Sequence, residues 1–229
     1  MISLKNMFKR IPYIILFFSL LLSLSKSEKI VYNVKYNGIK AGEATLEETF
    51  DEKNANISFN LKSRKIFDLI YKLRENILIK ADTLEYHIYE IKKVSQHGKY
   101  HKKFHAIFDY IKNIGYLNNV DIKISNKIYD PISIIYHLRN SELIIDKIFN
   151  YKIISKNNPK NLNIKVIGEE EIFIKNKKYN CFILEADGNR TKKDFLKLWI
   201  SKEENIPVII EQRAKNGTIK MELQKFIYK

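Results

Sequence analysis

An Asn-Gly pair set between two β-type runs constrains this chain most, and it occurs twice. Lys29 to Tyr36 is rich in β-branched and aromatic residues, Asn37-Gly38 follows, and Ile39 to Phe50 resumes as a second run. Near the other end, Pro207 to Arg213 and Thr218 to Ile227 flank Asn216-Gly217. A two-residue hairpin turn needs positive φ at both central positions, which Asn and Gly tolerate best. Both ends of the chain are therefore predicted to be antiparallel hairpins.

The residues between them carry the same signal. Ala55 to Ser63 alternates Ile57, Phe59 and Leu61 with Ser58, Asn60 and Lys62. Further strands are read at Arg74 to Lys80, Leu84 to Val94, Tyr100 to Tyr110, Tyr116 to Ile124, Lys147 to Ile154, Leu162 to Ile174, Tyr179 to Ala186 and Asp194 to Ser201. Ala81-Asp82-Thr83, Asn157-Asn158-Pro159 and Asn176-Lys177-Lys178 read as turns, and Gly98 breaks another pair. Only Arg64 to Leu73 and Pro131 to Arg139 look helical. In the second, Asp130 is a natural N-cap, Pro131 suits the first helical position, and Ile132, Ile135, Tyr136 and Arg139 share a face.

A long antiparallel sheet with one apolar face must cover that face. With at most two short helices available, it has to curl on itself. The expected fold is mainly β: a curved antiparallel sheet forming a partial, β-spiral-like barrel with one or two short helices. No Pro/Gly/Ser linker and no repeat of fixed period divides the chain, so residues 28–229 are expected to form one domain.

The first residues have a different character. Lys5, Lys9 and Arg10 precede an uncharged apolar run from Ile11 to Leu24, and Ser23, Ser25 and Ser27 follow as small residues. That is the three-part pattern of a secretory signal, expected to span residues 1–27. The run is shorter than the roughly 20 residues a spanning helix needs, which favours cleavage over an uncleaved anchor. No Cys follows it, which excludes a bacterial lipoprotein anchor. Export to the periplasm or the outside is the expectation, with membrane contact only through the signal before cleavage.

Charge and cysteine content narrow the function classes. The net charge is +15, and +11 without residues 1–27, which carry four cations and no acids. Such a balance suits anionic lipid head groups or an acidic envelope polymer. The lysines are spread along the chain with no nucleic-acid motif among them, so nucleic acid is not an expected partner. Cys181 is the only cysteine, so no internal disulfide can form. It sits in a strand-like stretch with no neighbouring His to activate it, as a buried packing residue would.

Four motifs in order carry a family resemblance: Tyr32-x-Val34-x-Tyr36-x-Gly38-x-x-Ala41-Gly42-x-Ala44; Asp130-Pro131-Ile132-Ser133-Ile134-Ile135-Tyr136-His137-Leu138-Arg139; Leu198-Trp199-Ile200-Ser201 with Ile206-Pro207-Val208; and Gly217-Thr218-Ile219-Lys220-x-Glu222-Leu223. With these the chain resembles the bacterial exported domain-of-unknown-function family three-one-zero-eight. The resemblance implies a periplasmic or envelope protein with a curved antiparallel sheet, similar in architecture to periplasmic carriers of lipoproteins and lipids. It implies no reaction.

Asp130, Ser133, Tyr136 and Arg139 are the first candidates for ligand binding, with Arg139 able to grip an anionic head group by its planar fork. The same four residues also read as a capped helix in which Asp130 caps, Ser133 assists, Tyr136 packs and Arg139 pairs with a carboxylate. Trp199, the only tryptophan, shares a strand face with Phe195 and Lys197 and is a candidate groove or core residue. His97, His101 and His105 recur every four residues, but on a strand neighbours would stand about 13 Å apart, too far to share an ion. The Glu169-Glu170-Glu171 run alternates faces on a strand and reads as solvated. No nucleophile elbow, phosphate loop or zinc-type cluster is present in the sequence. The expected function is non-enzymatic, without cofactor or metal: a protein that binds a lipid or other anionic envelope component in a curved-sheet groove. The alternative is an envelope scaffold acting through a protein partner.

Overall fold

Alternation builds the first strand. In β1 (Ser27–Tyr36) Ile30, Tyr32 and Val34 are buried while their neighbours are partly exposed. Asn37 and Gly38 both take positive φ, 48° and 85°, and turn the chain into β2 (Ile39–Phe50). This computed structural model describes residues 27–69, 72–118, 120–155, 158–186, 195–214 and 217–228. The expected signal, apart from Ser27, lies outside the described residues, as do Asn157 and Asn216 of the expected turns.

From β2 the chain meanders outward through β3 (Ala55–Ser63), a short α1 (Lys65–Asp68), β4 (Leu73–Ala81), β5 (Ile88–His97), β6 (Tyr100–Asp109), β7 (Ile114–Leu117) and β8 (Val120–Lys123). After the two-residue β9 (Ile128–Tyr129) comes α2 (Pro131–Arg139). A second meander then returns through β10 (Ile148–Ser155), β11 (Asn158–Ile174), β12 (Lys177–Ala186), β13 (Phe195–Ser201), β14 (Pro207–Ala214) and β15 (Gly217–Tyr228). The described strands form one 15-stranded sheet ordered β8-β7-β6-β5-β4-β3-β2-β1-β15-β14-β13-β12-β11-β10-β9. β1 lies at its centre and pairs with the last strand, Glu28 opposite Tyr228. Every pair is antiparallel except β9 with β10.

Connectivity forces the curl. The sheet's two edge strands, β8 and β9, are joined by residues 124–127 alone. At about 3.6 Å per residue at most, that link spans no more than about 18 Å, so the sheet must roll until its ends meet. The ends meet through side chains rather than a ladder. Lys93 of β5 pairs with Asp130. The Ile128 amide donates to the Tyr110 hydroxyl at 3.2 Å. Phe104 of β6 and Ile154 of β10 line the same 240 Å³ cleft. The sheet is thus a partial barrel whose rims touch.

Helix α2 fills the roll. Ile132, Ile134, Ile135, Tyr136 and Leu138 are buried in one core with Tyr32, Leu46, Phe59, Ile79, Ile91, Ile164, Leu184 and Leu198. Several local expectations are corrected. Among the described residues of Arg64 to Leu73 the helix is only the four-residue α1, because Ile66 and Leu69 are exposed and have no core to bury in. Leu84 lies in a turn, and β5 begins at Ile88. Tyr116 to Ile124 is not one strand. Asn118 takes a positive φ of 44°, and β7 and β8 pair as a hairpin around it.

Candidate functional site

The five residues singled out in the sequence do not form one site. Asp130 Oδ1 accepts from the Ile132 amide at 3.0 Å, and Ser133 Oγ accepts from the Asp130 amide at 3.1 Å, completing a capping box. Lys93 holds the other Asp130 oxygen. Arg139 lies at the far end of α2, about 13 Å away for nine residues at 1.5 Å each. Tyr136 is buried between the ends, its ring stacked on Tyr86 at 5.6 Å. Trp199 lies on the opposite face of the sheet from buried Leu198 and Ile200, and its indole donates to Glu170 Oε2 at 2.8 Å.

Tyr136 and Arg139 do come together with residues that the sequence reading passed over. Arg139 grips Glu28 with both terminal nitrogens, the Nη2–Oε2 bond measuring 2.8 Å, and its Nε donates to the Asn205 carbonyl at 2.6 Å. The guanidinium also sits 5.0 Å from the Tyr136 ring centre. Glu48 of β2 is buried beside this pair. Burial pushes its carboxyl up to about 7, against a hydrogen bond from Tyr86. Burial raises Tyr32, Tyr86 and Tyr136 far above the ordinary phenol range. Burial works against the Arg139 charge, yet the hydrogen-bonded Glu28 carboxylate outweighs it and raises the guanidinium further. Glu48 Oε1 and the Tyr136 hydroxyl have no hydrogen-bond partner among the described residues. The signal for this cluster lay in parity: Glu28 and Glu48 occupy positions that alternation assigns to the apolar face. Tyr86, at a positive φ of 58° in the β4–β5 turn, gave no such signal. Chemically the cluster fastens α2 to β1.

Among the described residues a broad concave surface lies where the β11–β12 hairpin meets β14 and β15. β11 shifts register between Val166 and Gly168, and its far half forms a hairpin with β12. Ile172 and Ile174 of that half pack on the core, and the hairpin end overlies the outer side of β14 and β15. A hollow of about 650 Å³ remains at its edge. Ile174, Tyr179, Ile206, Leu223 and Phe226 supply its apolar lining, and Lys175, Lys177 and Lys225 its cations. Lys177 is held by Glu204 at 2.5 Å and lies 4.6 Å above the Tyr179 ring centre. A second hollow of about 400 Å³ shares Ile174, Lys175 and Leu223 with the first. It ends at Lys35, paired with Glu222 at 2.5 Å, and at Lys220.

The remaining candidates stand apart. His105 bonds Glu90 at 2.9 Å, while His97 and His101 lie opposite Tyr100 and Gln96 across the β5–β6 ladder. Among the described residues no three His, Cys, Asp or Glu side chains gather where they could hold a metal ion. Cys181 is buried, and burial pushes its thiol up to about 12, far from a reactive thiolate. Glu169, Glu170 and Glu171 bind Lys202, Trp199 and Lys178 respectively, as alternate facing requires.

Comparison with known proteins agrees with this architecture. The family model described as Protein of unknown function (DUF3108) matches residues 31–224. No curated protein matches the chain. A β-barrel-like protein of domain of unknown function DUF1849 from Brucella abortus superposes with a TM-score of 0.53 at 7% identity, over 89% of this chain and 98% of that one. At that identity the likeness is one of fold alone. Two looser matches are a putative outer membrane lipoprotein-sorting protein domain from Vibrio parahaemolyticus (TM-score 0.24, 8% identity, 90% and 86% covered) and the Pseudomonas aeruginosa MucA/MucB complex (0.30, 10%, 89% and 52%). The chain spans about half the length of the latter, and neither match is close enough to carry an argument.

Proposed function

This chain belongs to the family described as Protein of unknown function (DUF3108), and we propose that it is a non-enzymatic envelope protein that holds an anionic amphiphile. The observation that carries this reading is the hollow of about 650 Å³ with an apolar lining and three lysines. Its volume lies within the roughly 300–1,000 Å³ usual for small-molecule sites. An acyl chain would lie against Ile174, Tyr179, Ile206, Leu223 and Phe226. The anionic head would meet Lys175 and Lys225, since Lys177 is already paired with Glu204.

A binding role without a reaction is supported by where the perturbed groups lie. Glu48, Tyr32, Tyr136 and Cys181 are all buried, and none of them lines this hollow. The envelope location is supported by the signal pattern of residues 1–27. Native mass spectrometry of the chain from residue 28, offered lysophosphatidylglycerol and an uncharged monoacylglycerol of equal chain length, tests the reading. A one-to-one complex with the anionic lipid is expected, weakened by Lys175→Glu with Lys225→Glu. A protein that stays empty with both lipids would end the proposal.

A further inference from the structure

One end of the rolled sheet holds large apolar side chains out in solvent. Leu84 in the β4–β5 turn is 81% exposed and Ile111 in the β6–β7 turn 96%. Ile144 and Ile145, between α2 and β10, and Ile148, at the start of β10, are about half exposed. The loops that carry them adjoin. Lys127 pairs with Glu85, the Ile124 amide donates to the Asn113 carbonyl at 3.0 Å, and Asn140 Nδ2 donates to the Tyr86 hydroxyl at 3.1 Å. A single exposed apolar residue needs no explanation, but several on adjoining loops mark an interaction surface.

The opposite end also carries exposed apolar residues, among them Ile39, Ile66 and Leu69. The path of the chain distinguishes the two. β1 enters at the Leu84–Ile111 end: Ser27 pairs with Thr49, and Glu28 is held by Arg139, whose neighbour Asn140 touches Tyr86. Upstream lies the apolar run Ile11 to Leu24, separated from Ser27 only by Ser25 and Lys26. While that run sits in a bilayer, two residues at about 3.6 Å each keep this end, and not the other, against the lipid.

We propose that this end is the bilayer-facing surface of the protein, with Leu84, Ile111, Ile144, Ile145 and Ile148 entering the interfacial region of the membrane. The attachment rests on these apolar side chains, since three cations beside them pair internally, Lys127 with Glu85, Lys112 with Asp109 at 3.3 Å and Lys165 with Asp146 at 2.7 Å, and Lys147 donates to the Glu142 carbonyl at 2.8 Å. Among the described residues no helix is long and apolar enough to cross a membrane, so contact through these loops is interfacial. The inference does not depend on a ligand in the hairpin hollow.

The first and last described strands pair with each other, so the chain from residue 27 is the species to test. Flotation with vesicles of phosphatidylethanolamine and phosphatidylglycerol should bring it up with the lipid, nearly unchanged when salt rises from about 0.1 to about 0.5 M. Leu84→Asp with Ile111→Asp should cut partitioning about tenfold or more. Ile66→Asp with Leu69→Asp, at the other end, should leave it unchanged. Thermal melts of both exposed-site variants should match the parent. Absence of flotation by the parent, loss of binding in high salt, indifference to the first pair or sensitivity to the second would each overturn the proposal. A second readout uses the full chain in vesicles with Cys181→Ala and Ile111→Cys carrying an environment-sensitive dye. Brominated acyl chains should quench it, and an unquenched dye counts against insertion.

Discussion

The two faces of this sheet are covered in different ways. Inside the roll, α2 is fastened at both ends, by Lys93 on Asp130 at its start and by Arg139 on Glu28 at its finish. Between them Tyr136 stacks on Tyr86, and the helix's apolar residues close the core. Outside, the β11–β12 hairpin lies over β14 and β15 with looser packing, leaving hollows of about 650 and 400 Å³. The inner cover uses charge to position a helix, and the outer one leaves lysines beside an apolar lining. The first arrangement is architecture, and the second has room for a guest.

Four experiments probe that contrast, in decreasing order of expected effect. Arg139→Ala leaves the Glu28 carboxylate buried and unpaired and should destabilise the fold by about 3–5 kcal/mol in urea titrations. Replacing both partners together, Arg139→Met with Glu28→Leu, should lose far less, because no orphaned charge remains. A similar loss from the pair and the single variant would break the view of this contact as a fastener.

Glu48→Gln should act in the other direction. The pKa of Glu48 is raised in the fold to about 7 from an ordinary 4.5, so its burial carries no ionisation penalty below pH 4.5. Stability is lost progressively as pH rises between the two values and stays lost above 7. The Gln variant should therefore gain up to about 3 kcal/mol at pH 8 and lose that advantage in acid. Paired urea titrations at the two pH values measure it.

The cap is a smaller contributor. Asp130→Ala removes an N-cap bond and should cost about 1–2 kcal/mol, with added loss from Lys93, read as a lower melting temperature. Least of all should be Lys175→Gln with Lys225→Gln at the outer hollow. Stability should move by no more than about 0.5 kcal/mol, while retention of an anionic amphiphile falls. A large stability change there would erase the distinction between the two covers.

The sheet and the capped helix were legible because each rests on local chemistry. Asn37-Gly38 demands its turn, and Asp130-Pro131 with Ser133 demands its helix start. Glu28 and Glu48 could be placed on the core face by counting in twos, yet their meeting with Arg139 depends on how far the sheet rolls. That is set by the short link between β8 and β9 and by no local pattern. The outer hollow was hidden for the same reason. A register shift at Gly168 redirects half of β11, and sequence alternation does not say which surface that half will meet. Trp199 illustrates the limit, since its strand parity was right and its partner Glu170 comes from a different hairpin.

The central place of β1 has a consequence for how the molecule is made. The first strand lies in the middle of the sheet, and the strand that completes its other side is the last, with Tyr32 bonded to the carbonyl of Pro207 across 175 positions of chain. A chain synthesised from its N-terminus can pair β1 with β2 early, but it cannot join the two meanders until β15 arrives. Contacts this distant in sequence form slowly. Until β15 emerges the two meanders therefore stay apart, and the step that joins them waits on a single strand.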